Sequence, residues 1–398
     1  MDTGLYLSSF LLPFFQTGSF ICWGLIFLVR LMNKEGRLQL VASFVRFPSF
    51  WWMPLFWLVH LIGMLWSDNQ AFGWKDIETK LSFLLLPLMF ASLPMTSERM
   101  VNIQRSFVAG VMMAVVFLLS KAFVGYSQDK DAGHFFYAGL SSALMHPTYL
   151  GMYVALALYL VADDWFMSGS KPWSTYHFPV VLLFSGVIFL LSARSVILAI
   201  GFLLPVFCLA SYVKSNAGPL KPTLVVLALI LAFFINARVN TNNNRMAELG
   251  QSIQQANTGA EHASNSVNSR FEIWSQALSL FKNAPYFGYG TGDVKDCLME
   301  SYRASNFTYA LEKKLNAHNQ YLQTSVALGF LGLLSLLAFL FLPLYPVRFS
   351  SFSFFIGLVI LNALTESIFE TQKGVVFSAF FYAVYVSFEA RCAPTSNN

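Results

Sequence analysis

Apolar runs of about 20 residues recur along the whole chain and are separated by short polar turns. A run of that length can cross a hydrocarbon core of about 30 Å, and backbone in lipid must satisfy its own hydrogen bonds, so each reads as a membrane-crossing helix. The pattern predicts an all-α polytopic membrane protein. Leu5 to Leu31 is apolar with a break around Pro13 to Gly18, and reads as one long crossing or two short ones. Arg30, Lys34, Arg37 and Arg46 then form a basic loop, and a second charged loop, Ser67 to Lys80, follows the crossing Phe50 to Trp66. Further crossings are expected at Leu81 to Leu93, Phe107 to Val124, Thr148 to Ala162, Phe178 to Leu191, Arg194 to Ser211, Leu224 to Ile235, Leu322 to Leu344, Phe354 to Leu364 and Val375 to Val386. The total is about 11 crossings, or about 12 if the first stretch is a hairpin.

The interval Val239 to Asn319 departs from this rhythm, because it is the only long polar stretch between apolar runs. It divides the chain into an N-terminal membrane bundle (1–238), a polar surface segment (239–319) and a C-terminal group of crossings with a short tail (320–398). Asn240 to Asn268, rich in Asn, Gln, Ser and Ala, reads as a partly flexible or weakly helical connector. Ser269 and Glu272 have capping-box spacing, and Phe271, Trp274, Leu278 and Phe281 then form an apolar stripe at helical intervals until Pro285. Gly288-Tyr289-Gly290-Thr291-Gly292 reads as a tight turn beside the membrane or as a close approach of backbone to a ligand. It lacks the lysine and strand context of a nucleotide loop.

Composition narrows the class. The chain is 56% hydrophobic and 11% charged, against roughly 25% charged for a soluble domain, which excludes an ordinary water-exposed surface. A net charge of +5 would suggest nucleic acid in a soluble protein. Here the basic residues flank apolar helices, where they set topology, so no nucleic-acid partner is expected. The positive-inside tendency puts the Arg30 to Arg46, Arg99 to Arg105, Lys214 to Lys221, Arg348 and Arg391 turns in the cytoplasm, and Val239 to Asn319 outside. Cys22, Cys208, Cys297 and Cys392 show no paired or metal spacing. His134, His146 and His318 are too scattered to predict a metal site. The first apolar run lacks a basic leader and a cleavage site, and reads as retained membrane structure.

Three residues could carry chemistry, and the topology puts all three on the outer face. Arg194 interrupts an apolar run within Ser192-Ala193-Arg194-Ser195, which is expensive unless a partner, water or an anionic ligand reaches it; it snorkels to the interface or binds a ligand. Arg270 opens the amphipathic helix, where a cation has no local electrostatic reason to be; it is solvated or serves an anion. His318 precedes the next crossing, and is either an interface histidine or a base for a hydroxyl. Arginine's fork of donors matches phosphate oxygens two at a time. Weaker candidates surround them. Glu366 and Glu370, four apart with Lys373 following, would share a helical face and either hold the arginines as ion pairs or do acid-base work directly. Lys80 could contact a phosphate, His146 belongs to an entry turn or the pocket, and Asn319 and Tyr321 cap and anchor the next crossing or touch substrate.

The chain resembles the O-antigen ligase and polymerase family, bacterial membrane proteins sharing the Wzy C-terminal-like, ligase-related domain. The resemblance rests on Leu191-Ser192-Ala193-Arg194-Ser195, on Ser269-Arg270-Phe271-Glu272-Ile273-Trp274 with the glycine-rich turn, and on Ala317-His318-Asn319-Gln320-Tyr321-Leu322-Gln323. It implies a GT-C-like, metal-independent and inverting glycosyltransferase in the bacterial inner membrane, without cofactor, its site and long polar segment facing the periplasm. The donor would be a glycan on undecaprenyl diphosphate. The acceptor hydroxyl would belong to lipid A-core in a ligase, or to a second lipid-linked glycan in a polymerase. Arg194 and Arg270 would hold the diphosphate, and His318 would orient or deprotonate the acceptor. A transporter or flippase is the competing reading, and it would put its polar groups at discontinuous helices near the midplane.

Overall fold

The computed structural model describes residues 1–167, 174–214, 223–230, 268–346 and 348–392. All regular structure among them is helical. The expected connector up to residue 267 and the second half of the Leu224 to Ile235 crossing lie outside the described residues, while 223–230 is helical. In chain order the helices are α1 (Asp2–Leu11), α2 (Gln16–Met32), α3 (Lys34–Arg46), α4 (Trp52–Gly63), α5 (Gln70–Thr79), α6 (Ser82–Ala91), α7 (Ser97–Asp129), α8 (Tyr137–Ser141), α9 (Pro147–Met167), α10 (Ser174–Leu190) and α11 (Arg194–Lys214). They continue as α12 (Asn268–Asn283), α13 (Val294–Ala304), α14 (Thr308–Glu312), α15 (Gln320–Phe341), α16 (Ser351–Ala363) and α17 (Gln372–Cys392).

The protein is a multi-pass membrane protein. Among the described residues, five helical stretches are long and apolar enough to cross a bilayer unaided: Pro48–Trp66, Ser97–Asp129, Pro147–Met167, Arg194–Lys214 and Gln320–Leu344. Gln16–Met32, Tyr176–Leu190 and Ser351–Ala363 are shorter apolar helices. These five meet the expected 11 or 12 crossings in part: several other apolar runs fold into helices of fewer than 18 residues, and the Leu224 to Ile235 run lies partly outside the described residues. The first stretch is two helices, broken between Leu11 and Gln16, and α1 has only 10 residues.

Two expected loops are helices instead. Lys34–Arg46 folds as α3 because Asn33 caps it, accepting from Glu35 N–H at 3.0 Å. Within Ser67 to Lys80, Asn69 caps α5 by accepting from Phe72 N–H at 3.1 Å. Both are rich in charge, so hydropathy alone does not mark them as helices.

Helix α9 forms the centre, with Leu150 to Leu158 buried residue after residue. The contacts around it define two ends of the bundle. Gly151 lies against Val196, and Ser211 Oγ donates to Asp163 at 2.6 Å, so α9 and α11 run parallel. Gly357 lies against Leu203, and Lys214 donates to Phe349 O at 2.6 Å, so α16 runs antiparallel to α11. His146, Arg194 and Glu366 therefore share one end. The described basic residues Arg30, Arg99, Arg105, Lys214 and Arg391 gather at the other. There Arg30 donates to Ser92 O at 2.8 Å, Arg99 pairs with Asp2, and Arg105 reaches Asp164 at 3.7 Å.

Helices α12, α13 and α14 form a cap over the first end with a small core of its own. Ile273, Ala277, Leu298, Met299, Tyr302 and Phe307 bury against Val59 of α4 and Val326 to Leu328 of α15. Each large side chain so buried contributes about 1.5–3 kcal/mol. The cap is pinned by the glycine-rich turn, whose Tyr289 and Gly290 N–H groups donate to Val326 and Ala327 O at 3.0 and 2.8 Å. In return Phe330 N–H donates to Pro285 O at 2.7 Å, across a break in α15 at Gly329. The close backbone approach is thus to this chain's own helix. Gly329 has φ 60° and ψ −148°, and a Cβ there would lie 2.4 Å from Tyr286 C. Gly329→Ala is expected to cost at least about 2 kcal/mol, read as a fall in Tm of the purified protein, because both the dihedral and the space are closed to a side chain.

Candidate active site

Two segments more than forty residues apart meet where α15 begins. Asn319 Oδ1 accepts from Leu322 N–H at 3.0 Å and caps α15. The same side chain donates from Nδ2 to Leu364 O at 2.9 Å, while its backbone N–H donates to Ser367 Oγ at 3.3 Å. Asn319, the residue after His318, is therefore tied to Leu364 and Ser367, which lie on either side of Glu366 in the chain. Tyr321 Oη donates to Ile360 O at 3.2 Å, which holds α15 to α16.

Glu366 is the hub of the cluster. One carboxylate oxygen accepts from Arg270 Nη2 at 2.7 Å, and the other lies 3.1 Å from His318 Nδ1. The carboxyl is largely buried, and burial alone would push its pKa up. The hydrogen bond from His318 and the charges of Arg270, His318 and His146 outweigh this and hold it below its ordinary value. His318 is further fixed through its backbone: its N–H donates to Asn316 Oδ1 at 3.0 Å, and its carbonyl accepts from Trp274 Nε1 at 3.4 Å. Its φ of 44° is left-handed, which an L-residue adopts only when its surroundings impose it.

The expected shared helical face of Glu366 and Glu370 is not formed. Helix α16 ends at Ala363, Glu366 lies in the following turn, and Glu370 closes a 3-10 turn, Ile368–Glu370. The two carboxylates consequently serve different partners. Glu370 accepts from Lys80 at 3.2 Å, and Lys80 also pairs with Asp76. Lys80 is only 1% exposed, so in this structure it supports Glu370 and does not reach solvent. Burial would lower its pKa, but Asp76 and Glu370 outweigh that and raise it. Gln320, buried beside them, donates to Thr324 Oγ1 at 3.1 Å and accepts from Phe369 N–H at 2.8 Å.

The remaining candidates, Arg194 and His146, lie at the same end of the bundle as this cluster. Arg194 is the first residue of α11, after Ser192 at φ 48°, and is half-buried at the same end of the bundle. His146 is exposed at the mouth of α9, its ring 5.9 Å from Tyr137 and 6.1 Å from Tyr149. Glu366 holds Arg270 as its residue type suggests, but its bond to His318 and the contacts of Asn316, Gln320 and Trp274 are ones that residue type alone does not assign. The available signal was the density of polar side chains from Asn316 to Gln323, unusual at the start of a crossing.

The apolar stripe on α12 is divided between the protein and the outside. Ile273 and Ala277 are buried, whereas Phe271 and Leu278 are exposed. With Tyr286, Phe287, Phe330, Leu331 and Leu334 they leave large apolar side chains exposed on the cap and on α15. Phe281 is the part of the stripe that meets α15, its ring 5.0 Å from Phe330. A mainly apolar cavity of about 300 Å³ lies between α2 and α6, lined by Phe20, Trp23, Phe27, Leu81, Leu85 and Met89 together with the polar Glu78, Ser82 and Gln372, of which Gln372 lies two residues past Glu370. Among the described residues, no three His, Cys, Asp or Glu side chains gather as metal ligands do.

Comparison with known proteins bears on the same region. An 80-residue stretch is 28% identical to a Haemophilus influenzae protein described as uncharacterized, spanning 20% of this chain and 20% of that one. Residues 179–337, which include Arg194, Arg270 and His318 but neither Glu366 nor Glu370, match the family described as O-Antigen ligase, so the chain carries an O-antigen ligase-related domain in its C-terminal region.

Proposed function

We propose that this protein is an inverting, metal-independent glycosyltransferase that moves a glycan from undecaprenyl diphosphate to a hydroxyl, with lipid A-core as the acceptor. The observation that carries the reading is the pairing of Arg270 and His318 on the two oxygens of one buried carboxylate, Glu366, at the end of the bundle where Arg194 opens α11. Glu366 takes the hydrogen bond of His318 Nδ1, which leaves Nε2 to receive the acceptor's proton. The acceptor oxygen then forms a bond to the anomeric carbon as the bond from that carbon to the diphosphate oxygen breaks, with inversion. The leaving diphosphate requires charge stabilisation more than a proton, and the guanidinium groups of Arg194 and Arg270 supply it in a preorganised form. Lys80 and Asn319 act as positioning residues.

The apolar cavity beside Gln372 suits the first isoprenoid units of the donor. The basic end of the bundle belongs in the cytoplasm by the positive-inside tendency, which turns the Glu366 cluster to the periplasm of an inner-membrane protein and suggests a GT-C-like arrangement. A transporter would gather polar groups at a helix break in mid-membrane. The break at Gly329 instead binds the backbone of residues 285–290.

Reconstitution with a defined undecaprenyl-diphosphate glycan tests the proposal. Product on lipid A-core and none on a second lipid-linked glycan is the expected result. Product on the lipid-linked glycan alone would make the protein a polymerase. Movement of the donor across the bilayer without any new glycosidic bond would overturn the transferase reading.

A further inference from the structure

A cavity of about 230 Å³ adjoins this cluster, and the reaction above makes no use of it. Lys75, Lys295 and Lys314, all exposed, line it together with Asp76, Asn316 and Glu370. The lysines come from α5, α13 and the turn after α14, so the tertiary fold brings them together and no local run of charge does. Lys80 already pairs with both Asp76 and Glu370. The cationic side chains favour an anion, while the carboxylates and the Asn316 amide offer acceptors for hydroxyl hydrogens. Together these match a sugar that bears a phosphate or carboxylate. The volume is below the roughly 300–1,000 Å³ of a pocket for a whole ligand, so the cavity suits one residue of a longer glycan.

Its position says which glycan. Asn316 lines the cavity and also accepts the His318 N–H. Lys314 and His318 sit in one short turn, both left-handed, at φ 51° and 44°. That turn brings Lys314 to the cavity and His318 to Glu366. A glycan held in the cavity would present its neighbouring sugar to His318, and in the proposed reaction the group that must reach His318 is the acceptor hydroxyl. We propose that the lysine-lined cavity binds an anionic sugar of the acceptor, adjacent to the sugar that is glycosylated. This rests on the transferase reading above.

The test uses the full chain in nanodiscs of zwitterionic lipid, so that no anionic headgroup competes. The native protein and the triple variant Lys75→Gln, Lys295→Gln, Lys314→Gln are each titrated with lipid A-core, with and without phosphate on its core sugars, and with the donor. The native protein is expected to bind the phosphorylated core about tenfold more tightly, and the variant to bind both forms alike with unchanged donor affinity. Equal binding of both forms by the native protein, or a preference that survives in the variant, would overturn the proposal. A loss confined to the donor would reassign the lysines to its diphosphate. Because binding is read without turnover, a preserved preference in a protein that makes no product would sink the transferase reading and leave the cavity's anion selectivity standing.

Discussion

His318→Asn is expected to lower the rate of glycan transfer by about 10²- to 10⁴-fold while leaving the fold intact. That range is the usual contribution of a positioned general base. Asparagine is the informative replacement because position 318 is left-handed, with φ 44°, and asparagine tolerates that region where alanine is strained. His318→Ala would mix loss of the base with loss of the turn. The measurement is single-turnover transfer on a common acceptor, with Tm recorded alongside. Transfer by His318→Asn at the native rate would remove His318 from the chemistry.

The second large effect is expected at Glu366, and it has a definite dependence on pH. The native carboxyl is held below its ordinary value, since the His318 hydrogen bond and the charges of Arg270, His318 and His146 exceed the cost of burial. Its contribution to stability is therefore fully present above the ordinary carboxylate range, and is lost as the pH falls through its depressed value. Glu366→Gln removes that contribution at every pH. The native protein should exceed the variant by about 1.5–3 kcal/mol near neutrality, towards the lower figure because Arg270 and His318 are partly solvated. The gap should close only in acid, below the ordinary carboxylate range. Transfer should fall by about 10- to 100-fold, the scale seen when the group orienting a reactive side chain is lost. A gap in Tm that does not change from neutral pH down through that acid range would refute the account of the pairing.

These two residues also mark how far reading by residue type reached. His318 and Arg270 stand out as polar groups at the edges of apolar runs. The spacing of Glu366 and Glu370 predicts a shared helical face, yet the helix ends at Ala363 and each carboxylate pairs with a different cation. On α12 the helix itself was legible, but Phe271 and Leu278 point away from the protein. A hydrophobic stripe does not tell protein from lipid as its partner, because both are apolar. Charged composition makes α3 and α5 read as loops, whereas capping by Asn33 and Asn69 folds both as helices.

The sequence by itself determined that the chain lives in a membrane, the order of most of its long helices, and the three polar motifs that interrupt them. Lipid judges each run of about 20 residues locally, so these properties are written in short windows. Only the tertiary structure decided that Glu366 joins Arg270 to His318, partners 96 and 48 residues away. It also decided that Lys80 serves Glu370, and that three distant lysines line one cavity. Such pairings depend on which helix ends converge and where each helix stops, and both are settled by packing between elements that no local window contains.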